Sequence, residues 1–454
     1  MAALIYDAAG GPAISRFFWL SLLALSLFVL PAQAVHVSAG PMVGSITAHS
    51  ARIWMELNTS ADVVVRCYDV NSTQELEAVR VPAYGPPPFV LNVPLSGLQP
   101  DHDYRIRCFS EGTRLPLPRP RLIIHTAPLA GAGADVKIAF GSCCNTSTHP
   151  QGRIWRAIAA QQPQAFIFDG NSFYYPKLLK EFPYTHRHAR RFMLQQYDQA
   201  RHFNGFKALL RSAAIYATWD NRDYGPLHAG KSFVFAGESL VAFQRYWLSP
   251  EFGTPRAPGV YCHFNIGDVE IFLLDDYSYR DPATAGKKRA MLGLQQLAWL
   301  KSHLMHSTAT FKLIVGPQQM IPRYANDPGW SAFPYERARF IRWLFMHNVG
   351  GVVFLSGHRR FGELSVRPPN PKNPNEYPLY ELTSSPLARA PLPAATISAE
   401  VNPLRVGQPI GVANFGMVRV GGPIGSRHLI LQLLDARGNV LLSQTILQSQ
   451  VMAN

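Results

Sequence analysis

Residues 216–225 read YATWDNRDYG, in which a short apolar run stops abruptly at a group of polar side chains. An apolar run of this length without polar alternation indicates a strand that is buried on both faces. Asp220, Asn221, Arg222 and Asp223 then lie in the loop that follows this strand. Because open α/β sheets bind ligands outside the carboxyl ends of their strands, this loop is a candidate binding site.

Three other apolar runs of the chain end in the same way. Residues 136–140 lead into GSCCN, residues 165–168 into DGNS, and residues 352–355 into SGHRR. If the four strands are neighbours, their ends bring Cys, Asn, Asp, His and Arg side chains to one rim of the sheet. The alternative is that each segment is an ordinary surface loop, since loops are usually polar.

Length and charge narrow the possible functions. The chain has 454 residues, of which 47% are hydrophobic, so it can form two or three domains with large cores. Its net charge of +14 favours anionic partners such as phosphoesters, lipid headgroups or nucleic acids. No Lys/Arg-rich tract and no nucleic-acid motif is recognisable, so general solubility or surface attraction is the favoured explanation of the charge. The candidate partner is a phosphoester or another anionic small molecule.

The first 34 residues have the pattern of a signal peptide. Arg16 precedes an apolar run at 17–30, and residues 32–34 read AQA, a small-residue cleavage site. The run is shorter than the roughly 20 residues that a spanning helix needs. We therefore expect an exported protein, periplasmic or secreted, with a retained anchor as the alternative. No later stretch is apolar enough to span a membrane.

Residues 35–128 have the pattern of a β-sandwich of the immunoglobulin or fibronectin III type. Short alternating runs separated by Gly and Pro turns predict strands at 51–57, 62–68, 89–93, 104–109 and 121–126. Tyr104, shortly after Leu98-Gln99-Pro100, resembles the corner in which a tyrosine hydroxyl bonds to nearby backbone. Cys67 and Cys108 lie in two of these strands, and they form either a disulfide or two buried thiols.

Residues 127–134 form a linker of small residues, and residues 135–454 form the second predicted domain. In this domain strands alternate with helices predicted near 152–161, 187–211, 239–247, 294–306 and 335–347. Residues 260–276 read as a hairpin that turns at 265–268, and the tail after 413 returns to strands. The fold class is thus mixed, α+β together with α/β.

Several blocks resemble the PhoD-like alkaline phosphatase D family of the metallophosphoesterase superfamily. They are FGSCCN at 140–145, GNSFY at 170–174, ATWDNRDYG at 217–225, LDDYSYRDP at 274–282, FLSGHRRFGEL at 354–364 and YELTSSPL at 380–387. The resemblance covers nearly all of the chain after residue 35. It implies a four-layer αββα core behind the β-sandwich, hydrolysis of phosphate mono- or diesters, and bound calcium and iron.

The departures from the family pattern fall on its metal ligands. Asn171 stands where the family has a bridging aspartate, and His358 stands where it has another aspartate. Arg222 and Arg360 stand at histidine positions, with Asn221 beside the first of them. Two residues match the family's metal ligands unchanged, Cys143 and Tyr174. The resemblance therefore leaves a candidate metal set of Cys143, Asn171, Tyr174, Asn221 and His358.

These substitutions remove anions and add cations at the predicted site. Two cations that are close together need carboxylates between them, whereas Asn171 offers one neutral oxygen. Arginine cannot ligate a metal, and its charge is fixed. We expect a two-metal centre to be weak or absent, and hydrolysis to be weak or lost. If activity survives, the candidate catalytic residues are Arg222 and Asp223.

The same changes suggest a pocket for an anion. Guanidinium groups match phosphate geometry, so Arg222, Arg359 and Arg360 are candidate substrate-binding residues. Further candidates lie in the helix predicted near 187–211, at Arg187, Arg190 and Arg191. The alternative is neutral decay, with the arginines solvated or paired with Asp169, Asp220 and Asp223.

Other features leave further alternatives open. Histidines at 186, 188, 202 and 228 are either substitute metal ligands or surface residues, and surface residues are the commoner case. Cys143 and Cys144 are adjacent, which makes a redox pair an unfavourable alternative. A third functional hypothesis makes the N-terminal β-domain an adhesion module with the remaining chain as its scaffold.

Overall fold

Two mixed β-sheets lie face to face in a computed structural model of the chain. The structure describes residues 34–72, 74–85, 87–117, 122–145, 152–175, 185–210, 213–227, 229–286, 288–324 and 329–452. The predicted signal peptide therefore lies almost entirely outside the described residues. Residues 35–454 form one compact unit. Among the described helices, none is both long enough and apolar enough to cross a membrane.

The described residues form 23 strands and eight α-helices. The first strands are β1 (Val37–Gly44), β2 (Ala51–Leu57), β3 (Ala61–Asp69), β4 (Glu75–Ala83), β5 (Phe89–Leu95), β6 (Asp103–Ser110), β7 (Thr113–Leu115), β8 (Ile123–His125), β9 (Val136–Gly141), β10 (Ala165–Asp169) and β11 (Ala214–Thr218). The later strands are β12 (Gly253–Thr254), β13 (Ala257–Pro258), β14 (Cys262–Ile266), β15 (Val269–Leu273), β16 (Phe311–Gly316), β17 (Val352–Ser356), β18 (Gly362–Arg367), β19 (Leu379–Thr383), β20 (Arg405–Ile410), β21 (Asn414–Gly421), β22 (His428–Asp435) and β23 (Val440–Leu447). The helices are α1 (Gly152–Ala160), α2 (His186–Arg201), α3 (Asn204–Leu209), α4 (Asn221–Tyr224), α5 (Ala236–Tyr246), α6 (Gly293–His306), α7 (Pro334–Met346) and α8 (Ala394–Ala399).

The first sheet has nine strands in the order β23-β22-β21-β9-β10-β11-β1-β2-β5, and the second has seven in the order β14-β15-β16-β17-β19-β18-β20. The centre of each sheet is parallel, and its edges are antiparallel. Tyr216 of β11 stacks on Phe264 of β14, with ring centroids 3.8 Å apart, so the two sheets share an apolar interface.

Helices cover the outer face of each sheet. On β10, Ile167 belongs to the apolar cluster between the sheets, whereas Phe166 and Phe168 contact Trp155 of α1 on the other side. On the second sheet, Phe272 contacts Trp299 of α6. A strand that packs on both faces needs apolar residues at every position, which is why these strands are continuous apolar runs. The predicted αββα core is confirmed.

The N-terminal strands form two packed sheets, as the strand pattern predicts. β4, β3, β6 and β7 form one sheet, with β8 beside β6, while β1, β2 and β5 extend the nine-stranded sheet. The junction is the parallel pairing of β1 with β11, at Val43 and Ala214. The expected tyrosine corner is present, since the backbone N–H of Gln99 donates to the Tyr104 hydroxyl at 2.6 Å.

The disulfide alternative for Cys67 and Cys108 is wrong, because both are free buried thiols. In the antiparallel pair of β3 and β6, Cys67 lies opposite Ile106, and Cys108 lies opposite Val65. The two cysteines are thus diagonal neighbours. Diagonal neighbours have Cα atoms about 7–8 Å apart, beyond the usual reach of a disulfide.

Candidate functional site

The polar segments predicted from the sequence meet at the carboxyl ends of the parallel strands. Cys143 follows β9, Asn171 follows β10, Asp220 follows β11, and His358 follows β17 of the facing sheet. Hydrogen bonds join these four loops to one another, as described below. We call the region that they enclose the cleft.

Asp220 is the centre of the cleft. Its Oδ2 atom accepts hydrogen bonds from His358 Nδ1, at 2.6 Å, and from the side-chain amide of Asn171. Its Oδ1 atom accepts from the backbone of Asn221 at 2.7 Å and from Gln318 Nε2 at 3.0 Å. Burial alone would raise the pKa of Asp220, but the charge and hydrogen bond of His358 outweigh it and lower that pKa. The carboxylate is therefore ionised, and protein donors already occupy both of its oxygens.

The Asp223 carboxylate connects two loops of the cleft by accepting hydrogen bonds from their backbone. It accepts from the backbone N–H groups of Asn171 (3.2 Å), Ser172 (2.8 Å) and Asp220 (2.7 Å), and its side chain is fully buried. Burial raises its pKa to about 7. Because a catalytic group must reach the substrate, this burial gives the predicted catalytic residue Asp223 a positioning role.

Asn171 fits its position because of its backbone as well as its amide. Its φ angle is 51°, in the left-handed region that asparagine tolerates better than most residues. Its Oδ1 atom accepts from the backbone N–H of Arg222 at 2.9 Å, and its Nδ2 atom donates to Asp220. Both ends of the amide are therefore used to join the loops after β10 and β11.

Cys143 and Tyr174 are neighbours in the buried part of the cleft. The Cys143 thiol donates to the backbone carbonyl of His358 at 3.4 Å, and burial raises the pKa of this thiol. The Tyr174 hydroxyl is buried without a hydrogen-bond partner among the described residues, and burial also raises its pKa. Cys144 is a separate free thiol, so the two adjacent cysteines do not form a redox disulfide.

The predicted arginines differ in whether a carboxylate or a backbone carbonyl is their partner. Arg359 turns away from the cleft, where it pairs with Glu400 at 2.8 Å and lies over the Tyr324 ring at 4.3 Å. Arg360 donates to the carbonyls of Ala390 (3.0 Å) and Pro391 (3.2 Å).

Arg360, Arg222 and Arg389 have no carboxylate partner in the described part of the chain. Arg222 joins the cleft through its backbone, whose carbonyl accepts from Tyr175 at 3.0 Å. Arg389, which the sequence analysis missed, lies over the Tyr174 ring at 4.5 Å. Burial and the charge of Arg389 lower the pKa of Arg360, so the two guanidinium groups repel each other. A like-charged pair of this kind favours a bound anion.

The candidates on α2 do not join the described contacts of the cleft. The three arginines at 187, 190 and 191 are exposed, and Arg190 pairs with Glu238 at 3.6 Å. His186 pairs with the same glutamate, and His202 lies 3.2 Å from Asp198. His188 is exposed, and His228 lies outside the described residues.

Two buried carboxyl groups near the cleft were also missed. Both oxygens of Asp169, and Oδ1 of Asp276, have no hydrogen-bond partner among the described residues. Burial raises the pKa of both groups well above the usual value for aspartate, and the nearby charge of Asp220 adds to this. Both shifts favour the neutral form of these two acids. Their position directly after apolar strands was the available signal.

The residues of the cleft do not fit a two-metal centre. In the described ranges, groups of at least three His, Cys, Asp or Glu ligand atoms within 4.8 Å of one another occur elsewhere, and none includes Cys143, Asp220 or His358. The amide at the bridging position, Asn171, is engaged at both ends. Asn221 Oδ1 is buried without a described partner, but it is neutral. Asp220, the carboxylate next to this position, is already engaged by His358 and Asn171.

Known proteins share this architecture. The structure of a PhoD has a TM-score of 0.73 to this chain, with 17% identity and coverage of 93% of each chain. The purple acid phosphatase PPD1 from yellow lupin seeds has a TM-score of 0.64, with 13% identity, and covers 90% of this chain and 74% of its own. The fold is thus that of a metallophosphoesterase-like protein.

Sequence comparison finds similarity to one family. The family model described as PhoD-like phosphatase matches residues 240–407. Alkaline phosphatase D of Bacillus subtilis (strain 168) is 26% identical over 315 residues, which are 59% of this chain and 52% of that protein. This chain accordingly aligns with about half the length of that relative. Residues 240–407 are thus similar to PhoD-like phosphatases.

Proposed function

We propose that the protein binds a phosphate-type oxyanion in the cleft and that it has lost two-metal phosphoester hydrolysis. One observation carries this proposal: Arg222, Arg360 and Arg389 have no carboxylate partner among the described residues, while Asp220 is already held by His358 and Asn171. The excess of positive charge favours an anion over a cation. Neutral decay is disfavoured because the loops remain joined by short hydrogen bonds.

The chemistry of such a site is recognition rather than turnover. Guanidinium groups donate paired hydrogen bonds to phosphate oxygens, and each charge-assisted bond contributes about 1.5–3 kcal/mol. His358 Nδ1 lies 2.6 Å from Asp220 Oδ2, which fixes the ring, and its side chain is 18% exposed. Calcium or iron, which the family resemblance implies, would have to be held by Cys143, Tyr174 and His358.

The direct test is calorimetric titration of the purified protein with inorganic phosphate. We expect single-site binding, and we expect Arg360→Gln and Arg389→Gln each to weaken it by about tenfold to a hundredfold, because each removes a charged donor. The matched control is Arg359→Gln, whose side chain pairs with Glu400 outside the cleft. Absence of phosphate binding, or equal loss in all three variants, would contradict the proposal.

Phosphoester hydrolysis is the second candidate, because Cys143 and Tyr174 remain at their positions in the cleft. Turnover of p-nitrophenyl phosphate and its diester measures it. The comparison protein carries Asn171→Asp, Arg222→His, His358→Asp and Arg360→His together, which restores the family's ligand types. We expect the natural protein to show no turnover with or without added Ca²⁺ and Fe³⁺, and the restored protein to gain it. Metal-dependent turnover by the natural protein would overturn the proposed loss.

A further inference from the structure

Three potential metal ligands meet on the outer face of the seven-stranded sheet, at a site separate from the cleft. They are His263 of β14, Glu270 of β15 and His303 of α6, and their ligand atoms all lie within 4.8 Å of one another. Two imidazoles and one carboxylate form a donor set that suits zinc-type divalent transition ions. The three residues come from separate elements, so this group is invisible to a local sequence motif.

The register of the β14–β15 hairpin places the first two ligands on one face. His263 lies opposite Phe272, and Asn265 lies opposite Glu270, so His263 and Glu270 are diagonal neighbours. His263 also stacks on Phe272 with ring centroids 6.0 Å apart, and Phe272 contacts Trp299 of α6. This is therefore the face that α6 covers, and α6 supplies the third ligand.

The contacts within the group leave ligand atoms available. His263 Nδ1 lies 2.9 Å from Glu270 Oε1, and the His263 and His303 rings lie 4.0 Å apart. Each of the three residues can offer one ligand atom to a shared ion.

The surroundings of the group also favour a cation. Lys312 lies opposite Glu270 in the parallel pair of β15 and β16, but its ammonium group donates to the carbonyl of Ala309 at 2.7 Å. Glu251 is a further acid whose charge acts on His263, and its Oε1 atom is buried without a hydrogen-bond partner among the described residues. The Lys312 ammonium group therefore has a described partner other than the Glu270 carboxylate.

Metal binding requires only a small contraction of this group. Zinc ligands lie about 2.0–2.1 Å from the ion, so the ligand atoms of a tetrahedral site are about 3.3 Å apart. The side chain of His263 is 27% exposed and that of Glu270 is 8% exposed. His303 is partly exposed as well. The two imidazoles can therefore rotate toward a common centre, and solvent can reach the fourth position.

We propose that His263, Glu270 and His303 bind one divalent transition-metal ion of the zinc type, which fastens α6 to the edge hairpin β14–β15. The ion acts as a structural link between a helix and two strands. Copper(II) and nickel(II) are expected to bind as well, since imidazole and carboxylate donors accept all three ions. The site is independent of the cleft and of the function proposed for it.

The test is calorimetric titration of Zn²⁺ into untagged, metal-stripped protein, because a histidine tag would bind the ion itself. We expect one site per chain, and at least tenfold weaker binding in His303→Ala and in Glu270→Gln. The matched control is His306→Ala, which lies on the same helix and bonds to the carbonyl of Ser302 instead. A second control is His358→Ala in the cleft, which should retain full zinc affinity.

Trp299 gives a second readout that does not depend on activity. Its ring lies 5.2 Å from His303 and 6.1 Å from His263, so bound Cu²⁺ should quench its fluorescence, and Trp299→Phe should remove the quenched component. The midpoint temperature of thermal unfolding should rise with Zn²⁺ in the natural protein and not in His303→Ala. A cooperative unfolding transition of His303→Ala also shows that this variant folds. The proposal would be overturned if the natural protein took up no zinc, or if His303→Ala and Glu270→Gln bound zinc as tightly as the natural protein does.

Discussion

At the scale of single residues, Asn171 shows how one amide can stabilise a site that once suited a carboxylate. Its Nδ2 donates to Asp220, and its Oδ1 accepts from the backbone of Arg222. A carboxylate at the same position could accept from Arg222 but could not donate to Asp220. Two ionised oxygens would then face each other in a buried place, which is unfavourable unless a cation lies between them.

Asn171→Asp should therefore destabilise the metal-free protein. We expect the free energy of unfolding near pH 8 to fall by about 1–3 kcal/mol, because a hydrogen bond becomes a repulsive contact. Urea unfolding measures it, with Asn348→Asp as the control, since Asn348 is exposed and has a similar left-handed backbone, with φ of 52°. Unchanged or increased stability of Asn171→Asp would contradict this account of the amide.

The Glu56 carboxyl group lies outside the cleft, and we expect it to make the folding stability of the protein depend on pH. Burial, and then the nearby Asp198, raise its pKa from 4.5 to about 7. Between these two pH values the folded chain keeps a proton that the unfolded chain has released. Stability should therefore fall as the pH rises through this window and stay lower above it.

Glu56→Gln should flatten this pH dependence. The difference in unfolding free energy between about pH 5 and about pH 8 should shrink by up to about 3 kcal/mol, since each unit of pKa corresponds to about 1.4 kcal/mol. Urea unfolding at the two pH values measures it. Glu111→Gln is the control, because Glu111 is exposed in a turn. An identical pH dependence in natural protein and Glu56→Gln would refute the raised pKa.

At the scale of elements, the tyrosine corner ties the turn before β6 to the strand itself. The Tyr104 ring is buried, and its hydroxyl accepts the backbone N–H of Gln99 at 2.6 Å. The N–H of Gln99 lies in the turn before β6, outside the strand ladders, and the Tyr104 hydroxyl is its acceptor. The corner therefore stabilises the geometry of the whole N-terminal sandwich.

Tyr104→Phe should reduce the free energy of unfolding by about 1–1.5 kcal/mol, because it removes one hydrogen bond and keeps the packing of the ring. The matched control is Tyr84→Phe, since Tyr84 is 65% exposed. Chemical denaturation of both variants measures the difference. Equal stability of the two variants would show that the turn does not depend on this bond.

At the scale of the whole molecule, the nine-stranded sheet runs from the C-terminal strands to the N-terminal ones without interruption. Strands β1, β2 and β5 continue the sheet beyond β11, and Tyr216 of β11 accepts the backbone N–H of Ile46 at 3.1 Å. The separation into a domain at 35–128 and a domain at 135–454 remains a prediction. Strands of both predicted domains pair within this one sheet.

A chain that begins at residue 135 should fold poorly. Removal of β1 leaves β11 as an exposed, apolar edge strand, which is a template for aggregation. We expect this fragment to be insoluble or to lack a cooperative thermal transition, in contrast to residues 35–454. Size-exclusion chromatography and circular dichroism measure the difference. A soluble, cooperatively unfolding fragment would show instead that the two predicted domains are independent.

The sequence by itself determined the elements and the rim of the site. The strands at 136–140, 165–168 and 352–355 were identified within one residue, because strands buried on both faces must be continuously apolar. The carboxyl ends of parallel strands lie at one edge, so the polar residues after them had to be neighbours. Asn171, Asp220 and His358 come together for this reason.

Only the tertiary structure decided where the long side chains point. Arg359 and Arg360 are adjacent in the sequence, yet the first turns to Glu400 and the second to the carbonyl of Ala390. The register of β3 and β6 likewise keeps Cys67 and Cys108 apart. These outcomes depend on partners far away in the chain, which no local pattern specifies. The meeting of His263, Glu270 and His303 has the same origin, since packing of α6 on the hairpin creates it.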